Sequence, residues 1–231
     1  MADLILLLET SGEQCSVAIA EVEGNTGKVL AEAEHTVPMK HTAMLLPLIK
    51  EAFAKTPYIL QETSAVAVST GPGSYTALRA GYSSAKGLCM ALDIPMITVS
   101  TLKAQASRGI ARQEKKDFEI VSVLPARRND VYFARFDGGL NTLIKPVCVE
   151  ATETWWHTQF GGVSTLLVAP SVDEFMRKHA QDVKGEDARL HASNLLDISI
   201  VKYKNGDFVD ASSVEPNYVK PPFITVAKPR F

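Results

Sequence analysis

Ser69-Thr-Gly-Pro-Gly-Ser-Tyr-Thr-Ala-Leu-Arg79 lies between an apolar, β-like run, Ala65 to Val68, and a segment rich in Ala, Gly and Ser that continues to Leu92. A glycine turn joining a strand to a helix leaves backbone N–H groups at the helix N-terminus, where chains commonly grip phosphate or another anion. Gly71, Gly73, Ser74 and Tyr75 are therefore candidate nucleotide or phosphate contacts, with Thr10 and Ser11 of an earlier Thr-Ser-Gly turn as a second loop. The spelling departs from two familiar versions. No Lys-Ser/Thr follows the glycines, as a P-loop needs, and Thr76 stands where the third glycine of a dinucleotide fingerprint would be. Taken alone, the motif means a tight strand-to-helix turn more often than a nucleotide site.

Upstream of this turn, Leu4–Glu9, Cys15–Glu21 and Val29–Val37 read as three successive strands, followed by a helix from about Thr42 to Lys55. Downstream come a helix over Ser74–Leu92, a strand at Pro95–Val99 and a helix over Thr101–Arg112, with Ser100 or Thr101 as N-cap. A strand meander that gives way to alternating strands and helices predicts an α/β fold on a mixed sheet. The charged run Arg112-Gln-Glu-Lys-Lys-Asp117 marks a boundary between lobes at 1–112 and 113–231. Beyond it the pattern restarts with strands at Phe118–Leu124, Val131–Phe136, Leu143–Glu150 and Ser164–Val168, then helices near Val172–Ala180 and His191–Ile198. Trp155 and Trp156 are read as closing the second lobe, and the tail after Glu215, with Pro216, Pro221, Pro222 and Pro229, as extended. Its Phe223, Ile224 and Val226 are expected to dock on a domain.

The 231 residues carry a net charge of −2, with 46% apolar and 22% charged residues. That is a globular balance, with no overall basicity to suggest autonomous nucleic-acid binding. Cys15, Cys89 and Cys148 form no CxxC pair, so neither a disulfide framework nor a thiolate zinc site is suggested. No signal-like start and no run long enough to span a bilayer appear, and a cytoplasmic protein without a membrane partner is expected.

Two helices are more apolar than a surface helix needs to be. In His41–Ala54, Met44, Leu45, Leu46, Leu48, Ile49, Ala52 and Phe53 point in almost every direction. In Ser74–Leu92, Ala77, Ala80, Gly81, Ser84, Ala85 and Leu88 form one small-residue face, and glycines inside a helix cost roughly 1 kcal/mol each against alanine. The small face either packs on the chain's own sheet and first helix or receives a partner. The excess on both helices together favours a partner, with His41, Met44, Leu45, Leu48 and Ala52 joining the second helix's small residues as candidate interface.

Leu7-Leu-Glu-Thr-Ser11, His41 with Leu45-Leu-Pro47, Gly71-Pro-Gly-Ser-Tyr-Thr76, Leu78-Arg-Ala-Gly81 and Ala85-Lys-Gly-Leu88 resemble, in order and spacing, the TsaB (YeaZ) family. Asp93-Ile-Pro95 and Val99-Ser-Thr-Leu102 extend the resemblance over the first half, and Ala126-Arg-Arg-Asn-Asp-Val-Tyr132 continues it more loosely. The resemblance implies an actin-like or Hsp70-like ATPase (ribonuclease H-like) fold, two lobes each on a βββαβα plan. It implies tRNA threonylcarbamoyladenosine biosynthesis as a non-catalytic subunit. The partners implied are a catalytic TsaD paralogue and a small TsaE ATPase, with a homodimer when alone and tRNA met through the assembled complex. No cofactor of its own is implied, beyond ATP or ADP at the partner boundary, and no metal. Glu9 departs from an Asp common in relatives, and Pro125 from an acidic residue before the Arg-Arg turn.

The alternative is an autonomous ATPase or small-molecule kinase of the same fold. Phosphoryl transfer needs two phosphate loops, a metal-organising carboxylate and a base. The chain offers Thr10-Ser-Gly12, Gly71-Pro-Gly73 and Glu9, but its second half has Pro-Ala-Arg-Arg-Asn-Asp where a Thr/Gly turn would repeat. A metallopeptidase would need converging ligands such as two His at i and i+4. His35, His41, His157, His179 and His191 contain no such pair.

Overall fold

The computed structural model describes residues 2–37, 40–111, 113, 117–160, 164–173 and 184–220. Its first sheet has the order β3-β2-β1-β4-β5, from β1 (Asp3–Glu9), β2 (Cys15–Glu23), β3 (Thr26–His35), β4 (Ala65–Ser69) and β5 (Met96–Val99). β1, β2 and β3 form an antiparallel meander, and β4 and β5 add in parallel. The second sheet has the order β10-β9-β6-β7-β8, from β6 (Glu119–Pro125), β7 (Asp130–Phe136), β8 (Thr142–Glu150), β9 (Thr165–Ala169) and β10 (Lys184–Asp187). Here too the first three strands are antiparallel and the last two parallel. The same topology thus occurs twice, which is the duplicated, actin-like plan.

β1 shows why its sequence is apolar throughout and does not alternate. Leu4, Leu6 and Leu8 point to one face, where they meet α1 (His41–Ala54) and α2 (Tyr75–Leu92). Ile5 and Leu7 point to the other, among Ala104, Ala192, Leu195, Ile198 and Ile200. A sheet covered on both faces needs apolar residues at both parities of its central strands. α3 (Thr101–Ile110) lies between the lobes, with Ala104 in the core under the first sheet and Leu102, Ala106 and Ile110 in that of the second. The second sheet's other face closes on α4 (Glu153–Phe160) through the fully buried Trp156.

The lobe division at 112/113 follows the two sheets but not the packing. A 3-10 turn (Ala192–Leu195) and α5 (Leu196–Asn205) return from the second half to cover the first sheet. The chain then runs along that lobe, where Val209 bridges Met96 and the Asn217 N–H donates to the Thr70 carbonyl. The expected helix from His191 to Ile198 is thus a 3-10 turn leading into a helix that runs to Asn205. Most of the Arg112–Asp117 boundary, residues 174–180 of the Val172–Ala180 helix, and Phe223, Ile224 and Val226 of the tail lie outside the described residues.

Candidate functional site

The glycine turn and the β1–β2 hairpin meet at the carboxyl ends of β1 and β4. Glu9, at the end of β1, is fully buried, and its Oε1 accepts hydrogen bonds from the Ser11 N–H (2.6 Å), the Ser11 hydroxyl (2.5 Å) and the Ser69 hydroxyl (2.9 Å). Burial pushes its carboxyl above the usual range, while the bonds from Ser11 and Ser69 pull it back. The glutamate ties the hairpin to the neighbouring strand.

The turn presses directly on that hairpin. Ser74 donates its N–H to the Ser11 carbonyl (2.8 Å), and a Cβ on Gly73 would come within 2.3 Å of the same oxygen. Gly71 has a φ of +98°, and a Cβ there would meet the Asn217 carbonyl at 3.0 Å. Nearly two turns into α2, a Cβ on Gly81 would lie 2.3 Å from Thr10 Oγ1. These glycines serve close backbone approach within the chain. Thr10, Ser11 and Gly71 are buried, whereas Gly73 and Tyr75 are partly exposed and Ser74 is exposed. As arranged, the Ser74 N–H is engaged by the Ser11 carbonyl rather than open to a phosphate.

The residues expected at a partner interface divide into two sets. His41, Leu45, Leu48 and Ala52 of α1, and Ala77, Gly81 and Ala85 of α2, are buried within this chain. Their inward position follows from helix geometry: Leu45, Leu48 and Ala52 share one stripe, and that stripe covers the Leu4, Leu6 and Leu8 face of β1. Ala80, Ser84, Leu88 and Met44 are half-exposed. The outward faces carry Ala43, Leu46 and Pro47 on α1 and Ser83, Gly87 and Met90 on α2. Leu46 is 60% exposed and Met90 70%, and a Cβ on Gly87 would meet nothing within 4 Å. All-round apolarity signals two contact faces but not which residues belong to each; the 3.6-residue phase against β1 separates them.

Among the described residues, no helix is long and apolar enough to cross a membrane, and no group of three or more His, Cys, Asp or Glu could hold a metal ion. Arg127 and Arg128 sit exposed in the β6–β7 turn, with Arg128 at a φ of 60°.

Residues 28–175 match the family model described as TsaD: tRNA N6-adenosine threonylcarbamoyltransferase. The chain is 28% identical to the tRNA threonylcarbamoyladenosine biosynthesis protein TsaB of Haemophilus influenzae, over 94% of this chain and 93% of that protein. It is also 28% identical to TsaB of Escherichia coli, over 94% of both. Against TsaB of Buchnera aphidicola the identity is 33%, over 62% of each chain. Among solved structures, YeaZ from Pseudomonas aeruginosa superimposes with a TM-score of 0.76 at 22% identity, covering 94% of this chain and 99% of that one. With a family model matched over more than half its length and TsaB proteins aligned nearly end to end, the chain belongs to the TsaD family of proteins, in its TsaB (YeaZ) branch.

Proposed function

We propose that this chain serves tRNA threonylcarbamoyladenosine biosynthesis as a non-catalytic subunit, docking the outer face of α1 and α2 onto a TsaD-like transferase. The observation that carries the reading is Gly87 with its neighbours. A glycine in the middle of a helix costs roughly 1 kcal/mol against alanine. Gly81 is accounted for by its contact with Thr10, but Gly87 faces outward with Leu46 and Met90 exposed on the same helix pair. A glycine there suits the close approach of a second helix. In this reading the transferase performs the chemistry and a TsaE-like ATPase acts on the assembled complex. Without the transferase, the same face pairs two copies of this chain.

The rival reading, an autonomous ATPase or kinase, needs free phosphate donors and an accessible carboxylate. Glu9 is buried under three hydrogen bonds and the Ser74 N–H is engaged by Ser11, which weighs against it. The test is mass spectrometry of tRNA nucleosides after reconstitution with the transferase, the small ATPase, threonylcarbamoyl-adenylate and ATP. Modification that requires this chain is the expected result. Full modification without it overturns the proposal.

A further inference from the structure

Residues 207–220, which follow α5, form neither helix nor strand and lie as a strap along one side of α2. At one end Val209 bridges Met96, and Val209, Ala211 and Val214 pack on the core to which Tyr82 and Cys89 of α2 belong. In the middle, the Lys86 ammonium donates to the Ser212 carbonyl at 3.5 Å. At the other end the Asn217 N–H donates to the Thr70 carbonyl at 2.8 Å, and the Tyr218 ring lies 4.6 Å from that of Tyr75. The Arg79 guanidinium, 5.3 Å from the same Tyr75 ring, completes that stack. Burial, and after it Tyr218, push the Tyr82 hydroxyl upward, so Tyr218 lies beside a second residue of α2. Tyr75, Arg79, Tyr82 and Lys86 stand at i, i+4, i+7 and i+11 and form one stripe of the helix. The exposed Ser83, Gly87 and Met90 form the next stripe round the axis, so the strap borders the outward face of α2 without covering it.

The start of α2 needs such a brace. Its N-cap, Ser74, makes no side-chain capping bond, and its first turn holds no acidic residue. Both local devices that usually fix a helix N-terminus are therefore missing. Gly81 and Gly87 loosen the helix further, because glycine gives up more backbone freedom in a helix than other residues do. What fixes the start is tertiary: the Ser11 carbonyl on the Ser74 N–H, and the strap on Thr70, Gly71 and Tyr75. We infer that this strap is the device that holds α2 in place for docking, with Tyr218 as its positioning residue. A surface already held rigid loses less freedom on association than one that must first be ordered. Tyr218 acts from the Tyr75 stripe and leaves the Gly87 stripe to the partner. Release of Asn217 and Tyr218 frees the start of α2 without opening either sheet. The inference rests on the docking proposal and adds the element that makes the docking face competent.

The test compares Tyr218→Ala, Tyr218→Phe and Phe208→Ala in the full chain, by calorimetric titration with the transferase and by amide hydrogen exchange. Tyr218→Ala should bind about tenfold more weakly, while its melting temperature falls by no more than a few degrees. The Leu78 amide, which bonds back to the Ser74 carbonyl, should exchange at least about tenfold faster in that variant. Tyr218→Phe keeps the ring and should behave as the native chain in both measurements. Phe208→Ala, whose ring packs on Tyr203 of α5, should change neither. A Tyr218→Ala chain that binds as tightly as the native one overturns the inference. Weaker binding with unchanged Leu78 exchange, or equal loss in Tyr218→Phe, also overturns it, because Tyr218 would then touch the partner directly. Leu46→Asp, on the outward face of α1, separates this inference from the docking proposal. If Leu46→Asp binds normally, the docking proposal falls and the strap inference with it. If Leu46→Asp abolishes binding and Tyr218→Ala leaves it intact, the strap inference alone falls.

Discussion

At the scale of single residues, the glycines of this chain make opposite predictions although they share a sequence context. Gly73 has the Ser11 carbonyl 2.3 Å from where a Cβ would go, and that neighbour is backbone, which cannot swing aside. Gly73→Ala should destabilise the fold by about 2–4 kcal/mol, read as a lower midpoint in urea unfolding. Gly87 has open space and lies within regular helix, so Gly87→Ala should stabilise the isolated chain by about 0.5–1 kcal/mol. If the outer face of α2 is the contact, the same substitution weakens assembly, a split that no purely structural role gives. Glu9 carries a pH signature. Its folded carboxyl titrates above the unfolded value because of burial, so the folded state holds a proton the unfolded state has lost. Its contribution is therefore greatest below the unfolded carboxylate pKa and declines as pH rises through the folded value. Glu9→Gln keeps an acceptor for Ser11 and Ser69 and removes that decline. Unfolding curves of variant and native chain measured from pH 5 to 8 should diverge in the variant's favour toward pH 8.

The elements themselves were largely legible, and their surroundings were not. β1 to β5 and α1 to α3 follow from apolar runs, turn residues and Ala-rich helical stretches that agree with one another at every step. α4 gave no such signal, because Trp156 is its one buried residue and an eight-residue helix held by a single anchor has no stripe to read. β10, Lys-Gly-Glu-Asp, is polar and exists because β9 offers it a parallel edge. The glycine turn was visible, but its use was not: only the approach of Ser11 reveals that the Ser74 N–H is taken. For the helix pair, sequence showed a surplus of apolar residues, and the structure assigns Leu45 and Leu48 to the core and Leu46 to the outside. Substitution separates the two. Leu46→Asp should abolish co-purification with the transferase while leaving the melting temperature within a few degrees. Leu45→Asp, which buries a charge without a partner, should prevent folding and register as loss of the cooperative melting transition.

For the molecule as a whole, the return of α5 to the first sheet governs stability. Leu195 is fully buried against strands nearly two hundred positions earlier in the chain, and Leu195→Ala should cost about 2–5 kcal/mol. Gln105 on α3 joins the halves a second time, donating to the carbonyls of Val123 and Ala188 and accepting from Ser122. With both ties present, thermal unfolding should show one transition by fluorescence and by circular dichroism. Two transitions would mean that the lobes melt separately. The same return has a consequence for biosynthesis. A ribosome delivers the first sheet early, but the residues that cover one of its faces emerge nearly two hundred positions after β1. The nascent first half must therefore wait with apolar surface uncovered until those residues leave the ribosome, and a chain truncated before residue 190 should become a client of chaperones and proteases.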